Sequence, residues 1–107
     1  MSHDHAQAGP ASVIVGTLTE RAVARTKVLD GEHAVPVLCL ELVTDTPLRL
    51  PVHVEQPFPA GHFAQCEAAA RRLRKGQHVT VQAPVLGWRL IAANATHIHI
   101  DNNEGNS

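Results

Sequence analysis

The chain has 107 residues, of which 44% are hydrophobic and 18% are charged, a composition typical of one globular domain and unlike that of a disordered chain. This length excludes a second catalytic domain and also a Rossmann or TIM-barrel enzyme of ordinary size. The formal net charge of −1 argues against general nucleic-acid binding through overall positive charge. However, all nine Lys and Arg residues lie between two acidic ends, so the body of the chain is mildly basic.

Both ends of the chain are polar, and only the stretch between them has the pattern of a folded domain. Residues 1–11 are predicted to form a flexible N-terminal arm, residues 12–100 one domain, and residues 101–107 a flexible tail. The beginning of the chain lacks the basic start and apolar centre of a signal peptide, and no apolar stretch reaches the ~18–20 residues of a membrane span. Cys39 and Cys66 are interpreted as buried free thiols in a reducing compartment. We therefore expect a soluble, cytoplasmic protein without a membrane partner.

The first part of the domain has the pattern of β-strands. Residues 12–20 are rich in β-branched side chains, and Gly16 within them is typical of a bulge or a sharp bend, beyond which residues 22–26 continue the strand. Asp30-Gly31 indicates a turn. Residues 34–44 are almost continuously apolar, which predicts a second strand buried on both faces.

Residues 48–56 alternate more regularly than any other segment, which indicates a strand with one buried and one exposed face. Four aliphatic residues are predicted to point into the core: Leu48, Leu50, Val52 and Val54. Arg49 and His53 are predicted to share the exposed face of this strand. Phe58 follows between two prolines, in a predicted loop.

Residues 62–75 are predicted to form the helix of this domain, because their apolar residues recur at helical spacing. The apolar stripe consists of Phe63, Cys66, Ala70 and Leu73, and Phe63 is assigned to the core. Four basic residues crowd the last turn: Arg71, Arg72, Arg74 and Lys75. They are interpreted mainly as complements to the negative end of the helix dipole, because a helix C-terminus does not offer N–H groups to a phosphate. Gly76 is predicted to cap the helix.

Two further strands are predicted after the helix. Residues 77–84 alternate, residues 86–89 indicate a hairpin tip, and residues 90–100 form the last strand. The inward residues of the first of these strands are Val79, Val81 and Ala83. An all-β domain with three strands, one helix and two strands has the order of the five-stranded OB-fold barrel, in which the helix lies between strands 3 and 4. Closure of the barrel removes exposed edges, and an open α+β sandwich is the alternative.

Two stretches within residues 12–100 carry a family likeness: SVIVGTLTERAVARTKVLDGEHAVPVLCLELVTD and FAQCEAAARRLRKGQHVTVQAPVLGWRL. They resemble the bacterial single-stranded-DNA-binding protein family and its dimeric relative, primosomal replication protein N. The Leu73-Arg74-Lys75-Gly76 turn before an alternating strand is the most specific part of the likeness. The chain departs from the family in its aromatic content of 3% and in its tail, DNNEGNS, which lacks the family's acidic, proline-containing partner motif. A reduced paralogue, a primosomal-type subunit or a mobile-element version fits these departures.

Binding of a single nucleic-acid strand requires cations along the phosphates and flat rings on which bases stack. Trp88 and Arg89 lie at the predicted tip between the last two strands, in a loop that commonly contacts nucleic acid in OB-folds. The other candidates for nucleic-acid binding are Arg21, Arg25, Lys27, Arg49, His53 and Phe58. Three alternatives stay open: Trp88 packs on the barrel mouth or a subunit interface, Phe58 plugs one end of the barrel, and the basic residues are scattered solvated charges.

Other chemistry finds little support in the sequence. Of the eight histidines, His97 and His99 share one face of the last strand and could supply two ligands to a metal ion. A structural zinc ion needs two more ligands, and Cys39 and Cys66 lack the spacing of the cysteines in zinc fingers. We therefore predict no metal site and no cofactor. The chain has no glycine-rich phosphate loop and no nucleophile elbow, and no Asp or Glu is expected beside a histidine on a neighbouring strand, so we do not expect an enzyme.

The sequence thus predicts non-sequence-specific binding of single-stranded DNA, in DNA replication, recombination or repair. The resemblance implies a homo-oligomer, either a homodimer or a homotetramer, and also implies replication or recombination proteins as partners. A small core and exposed apolar strand faces favour an assembly independently. The competing hypothesis is an OB-fold protein-interaction or structural module without nucleic-acid binding, which the scarcity of aromatic residues supports.

Overall fold

A computed structural model describes residues 11–29, 33–84, 91–92 and 95–101 of the chain. Its elements in chain order are β1 (Ala11–Leu18), β2 (Val23–Leu29), β3 (His33–Thr44), β4 (Pro51–Pro57), α1 (Phe63–Arg72), β5 (His78–Pro84), β6 (Ile91–Ala92) and β7 (His97–Ile100). The fold is mostly β, with one helix in the described residues and a curled sheet that forms a half-barrel. In this part of the chain, no helix has the length and apolarity needed to cross a membrane.

One sheet contains all seven strands, in the order β6-β4-β3-β1-β5-β7, with β2 also paired with β3. Every pair is antiparallel except β4 and β6, which are parallel. The long strand β3 carries two neighbours on one edge, because β2 pairs with its first half and β1 with its last three residues. The two strands predicted within residues 12–26 are confirmed in this arrangement.

Gly16 is buried where β1 lies between β3 and β5, paired with Thr44 on one side and Val79 on the other. A Cβ atom at this position would lie 2.3 Å from the carbonyl oxygen of Val43, a backbone atom that cannot move aside without separating the strands. The chain bends only after β1 ends, at residues 19–22. Gly16 is therefore required because the backbones of β1 and β3 approach closely at this position. The bend predicted at Gly16 lies further along the chain, at residues 19–22.

The core lies inside the curl of the sheet and is closed on one side by α1. Its side chains come mainly from alternate positions of β3, β4 and β5, joined by two residues from α1 and its end. They are Leu38, Leu40, Leu42, Val52, Val54, Cys66, Leu73, Val79, Val81 and Ala83, and Leu18, Ala22 and Ala95 complete the cluster. Val37 and Cys39 are buried on the opposite face of β3, so the prediction of a strand buried on both faces is confirmed.

The strand predicted for residues 48–56 begins later than expected, at Pro51. Val52 and Val54 are buried as predicted, but Leu48 is 76% exposed and Leu50 is 42% exposed, so their assignment to the core is wrong. The chain before Pro51 forms a turn, in which Arg49 has a left-handed φ of 52°. This conformation interrupts the alternation of side chains that a strand would impose.

Helix α1 is shorter than predicted and ends at Arg72. Gly76 does not cap it: with φ of 91°, this residue occupies the third position of a turn in which Gln77 donates its N–H to the carbonyl of Arg74 at 3.1 Å. The two aromatic assignments also change. Phe63 is 39% exposed rather than in the core, whereas Phe58 is half-buried and packs against the core.

The last predicted strand, residues 90–100, is divided between two neighbours. β6 pairs with β4, and β7 pairs with β5 at the other end of the sheet. Just before β7, Ala95 donates its N–H to the Glu55 carbonyl of β4 at 2.8 Å, and the next residue, Thr96, donates to the Gln82 carbonyl of β5 at 2.9 Å. Ala11, which was predicted to end the arm, is the first residue of β1. The rest of the predicted arm, most of the predicted tail and the predicted hairpin tip lie outside the described residues.

Candidate functional site

The candidate site is the face of β2, β3 and β4 that points away from the core. Residues opposite one another in an antiparallel pair project from the same face, and the register places Cys39 opposite Glu55 and Glu41 opposite His53. We call this surface the outer face. It consists of Arg25 and Lys27 of β2, Val37, Cys39 and Glu41 of β3, and His53 and Glu55 of β4.

Three of the predicted nucleic-acid-binding residues, Arg25, Lys27 and His53, share the outer face, but two of them are paired with carboxylates. The Lys27 ammonium forms an ion pair with Glu55. His53 lies between two acids, with its Nδ1 2.5 Å from Glu41 Oε2 and its Nε2 2.9 Å from Glu55 Oε2. The expectation that no Asp or Glu would stand beside a histidine is therefore wrong.

The hydrogen-bond network around His53 favours the charged form of its imidazole. Partial burial of the ring lowers its pKa, but hydrogen bonds to Glu55 and Glu41 outweigh that effect and raise the pKa of His53 above its usual value. For Glu55, partial burial acts to raise the pKa, yet Lys27 and His53 hold it below the usual value. Both ring nitrogens donate when the imidazole is protonated, and Lys27 and His53 then balance the two carboxylates. Arg25 is the remaining positive charge of the outer face.

Cys39 occupies the centre of the outer face and is 6% exposed. Its Sγ lies 3.9 Å from the Val37 carbonyl oxygen, a weak hydrogen bond. Burial, followed by the charge of Glu55, raises the pKa of this thiol, although Lys27 and Arg25 act in the opposite direction. The thiol is therefore protonated near neutral pH.

The remaining predicted site residues lie elsewhere or outside the described residues. Arg49 lies in the turn before β4, so the prediction that it shares a strand face with His53 is wrong. Arg21 is exposed in the bend between β1 and β2. Phe58 packs against the core, as the alternative of a plug requires. Trp88 and Arg89 lie outside the described residues, and their proposed role stays a prediction.

A second basic surface surrounds the end of α1. We call it the basic helix end; it consists of Arg21, Arg71, Arg72, Arg74 and Lys75, all exposed. None of these residues forms an ion pair with a carboxylate in the described part of the chain. A groove of about 570 Å³ between β2 and α1 is lined by Arg21, Arg71 and Arg74, with Glu67 beside them. Arg71 and Arg72 lie in the last turn of α1, where they also complement the negative end of the helix dipole.

His78, at the start of β5, forms a second histidine–carboxylate network that was not predicted. Its Nε2 lies 2.5 Å from Asp45 Oδ2 and its Nδ1 lies 2.6 Å from Asp101 Oδ2. The hydrogen bond that the His78 ring donates to Asp45 raises the pKa of His78; burial opposes this effect, and the bond to Asp101 adds to the rise. The ring thus connects the turn after β3 to the end of β7. Because the partners lie 33 and 23 positions away, no local pattern indicates them.

Comparison with known proteins assigns no family: no protein-family model matches the chain, and no curated protein matches it. The family resemblance of residues 12–100 therefore stays a prediction from the sequence.

Proposed function

We propose that the chain is a five-stranded OB-fold barrel that binds single-stranded DNA along β2. In this barrel, β1 and β2 form the first strand, β3 and β4 the second and third, β5 the fourth, and β6 and β7 the fifth. The parallel pairing of β4 with β6 supports closure. So do the hydrogen bonds of Ala95 and Thr96, because consecutive residues contact strands from the two ends of the sheet.

The observation that carries the DNA-binding proposal is the concentration of cations on both sides of β2. Arg25 projects from β2 onto the outer face, and Arg21 precedes the strand and lines the groove next to α1. Arg71 and Arg74 line the same groove from the helix side. None of these four arginines is paired with a described carboxylate, so their charges are available to phosphates.

The same geometry predicts weak dependence on base sequence. Arginine contacts to phosphates position a strand but carry no sequence information. Neither Phe58 nor Phe63 lies on the outer face, since one packs against the core and the other belongs to α1. Base stacking would then depend on Trp88, as predicted from the sequence, and one stacked base contributes ~1–3 kcal/mol.

Fluorescence anisotropy of a labelled oligo-dT at two salt concentrations tests the proposal. Binding should weaken as salt rises, and Arg25→Ala should remove one phosphate contact, which lowers the salt slope by ~0.7 and, at ~0.1 M salt, the affinity by ~5-fold. Arg49→Ala is the matched control, because it removes the same charge from an exposed turn away from β2. Equal losses in the two variants, or no binding at low salt, would refute binding along β2. Trp88→Ala tests the stacking role in the same assay.

A protein-interaction or structural module without nucleic-acid binding is the second candidate function. The observation that favours it is the pairing of Lys27 and His53 with Glu41 and Glu55, which leaves the outer face nearly neutral. Absence of oligo-dT binding at low salt, in a folded protein, would support this candidate.

The proposal includes a homodimer or homotetramer in the cytoplasm, with replication or recombination proteins as further partners. The resemblance to dimeric and tetrameric proteins and the small core are what support self-association. Cys39 and Cys66 are free and buried, as is usual for proteins of a reducing compartment. Light scattering in solution measures the oligomer directly, and a monomer at all concentrations would refute this part of the proposal.

A further inference from the structure

Three side chains of different chemistry converge at the centre of the outer face. Ligand atoms of Cys39, His53 and Glu55 (a thiol sulfur, a ring nitrogen and a carboxylate oxygen) all lie within 4.8 Å of one another. We propose that these three residues bind a divalent transition-metal ion of the zinc type. This inference goes beyond DNA binding and does not depend on it.

The donor set selects the class of ion. Sulfur, nitrogen and oxygen donors together suit Zn²⁺ and its neighbours Co²⁺ and Ni²⁺, whereas Mg²⁺ and Ca²⁺ prefer oxygen donors alone. Donor atoms around a tetrahedral zinc ion lie about 3.5 Å apart. This value lies between the 2.9 Å that separates His53 Nε2 from Glu55 Oε2 and the 4.8 Å within which all three donors lie, so a metal ion requires shifts of only ~1 Å. Three protein ligands leave a fourth position for water or another ligand.

Glu41 supplies the outer contact that metal-bound histidines usually have. Its carboxylate accepts a hydrogen bond from Nδ1 of His53 at 2.5 Å, which fixes the proton on that nitrogen. Nε2 then faces Glu55, 2.9 Å away, with its lone pair available once it is deprotonated. Glu41 is therefore a positioning residue for the proposed ligand His53.

Lys27 forms an ion pair with the Glu55 carboxylate, which the metal ion would use as a ligand. Its ammonium is paired with Glu55, so a metal ion and Lys27 compete for the same carboxylate. On binding, M²⁺ replaces two protons, one from the Cys39 thiol and one from Nε2 of the His53 imidazolium. Both protons pass to solvent. Affinity should therefore rise with pH, and removal of the competing ammonium in Lys27→Gln should increase it.

Titration of the metal-free, untagged protein with Co²⁺ under reducing conditions tests the proposal. A bound thiolate produces a sulfur-to-cobalt charge-transfer band in the near ultraviolet, which the exposed histidines cannot produce. We expect this band to saturate at one Co²⁺ per chain and to disappear when Zn²⁺ is added. The band should be lost in Cys39→Ser and retained in Cys66→Ser, the matched control with a buried thiol in α1.

A second variant tests the geometry without altering a buried position. Glu41→Gln should weaken Co²⁺ binding by ~10–100-fold, the usual effect of removing the partner of a ligating histidine, and circular dichroism should show an unchanged fold. Two results would overturn the proposal: no charge-transfer band with millimolar Co²⁺ in the folded protein, or a band that survives Cys39→Ser. An affinity unchanged in Glu41→Gln would refute the positioning role of Glu41.

Discussion

Replacement of Glu55 by Gln should strengthen DNA binding, if the outer face contributes to it. The Glu55 carboxylate holds the Lys27 ammonium and one nitrogen of His53, while Glu41 holds only the other nitrogen of His53. Glu55→Gln keeps the shape of the side chain but removes the charge, so Lys27 becomes available to a phosphate. His53 remains paired with Glu41.

The size of the effect follows from one released cation. For single strands each phosphate contact adds ~0.7 to the slope of log affinity against log salt, which at ~0.1 M salt corresponds to ~5-fold in affinity, or about 1 kcal/mol. We therefore expect Glu55→Gln to bind oligo-dT about 5-fold more tightly than the natural chain, with a salt slope steeper by ~0.7.

The matched control is Glu41→Gln, which removes the same charge from the same face but leaves Lys27 paired with Glu55. Both variants are titrated by anisotropy across a salt series, with a chelator present to exclude metal binding. The comparison separates the effect of releasing Lys27 from the effect of removing one negative charge. An equal gain in the two variants would contradict the role of Lys27. No gain in either would show that DNA does not contact the outer face.

Three further predictions concern stability, measured by urea unfolding. Gly16→Ala should lower the free energy of unfolding by about 2–3 kcal/mol, because its Cβ would lie 2.3 Å from a backbone oxygen, and an unchanged midpoint would contradict the close approach of the strands. Asp45 and Asp101 raise the pKa of His78, so the stability it contributes is complete below pH ~6.5 and is lost as pH rises through the raised pKa. His78→Gln should therefore make the urea midpoint depend less on pH above pH ~6.5. A plot of midpoint against pH that runs parallel to that of the natural chain would argue against the network. Phe58→Ala should cost about 2 kcal/mol and Phe63→Ala less than ~1 kcal/mol, because only Phe58 packs against the core; the reverse order would refute that packing.

The strands were predictable wherever side-chain alternation alone decides the structure. Val52 and Val54 in β4, and Val79 and Val81 in β5, are buried as the period of two requires. The same rule failed at Leu48 and Leu50, since an alternating sequence does not show where the backbone leaves the strand. A left-handed residue, Arg49, ends the pattern there.

The candidate site was predictable for single residues but not for their partners. Alternation along β2 was enough to place Arg25 and Lys27 on one face, and the register of β3 and β4 then decides which acids stand beside His53. A shift of one residue in that register would move Glu41 and Glu55 to other neighbours. Register depends on packing across the whole sheet, so the charge balance of the outer face could not be derived from local pattern.

Glu55 connects the two proposals, because Lys27, His53 and a metal ion all use its carboxylate. A divalent ion adds two positive charges while the Cys39 thiol and the His53 imidazolium each lose a proton, so the charge of the outer face does not change. What changes is the ion pair of Lys27 with Glu55, because the metal ion competes for the same carboxylate and leaves the Lys27 ammonium available to a phosphate. Metal binding should therefore strengthen DNA binding by about the same ~5-fold as Glu55→Gln, and linkage requires DNA to tighten metal binding by an equal factor. A metal that binds the outer face without changing DNA affinity would mean that Lys27 does not contact the strand.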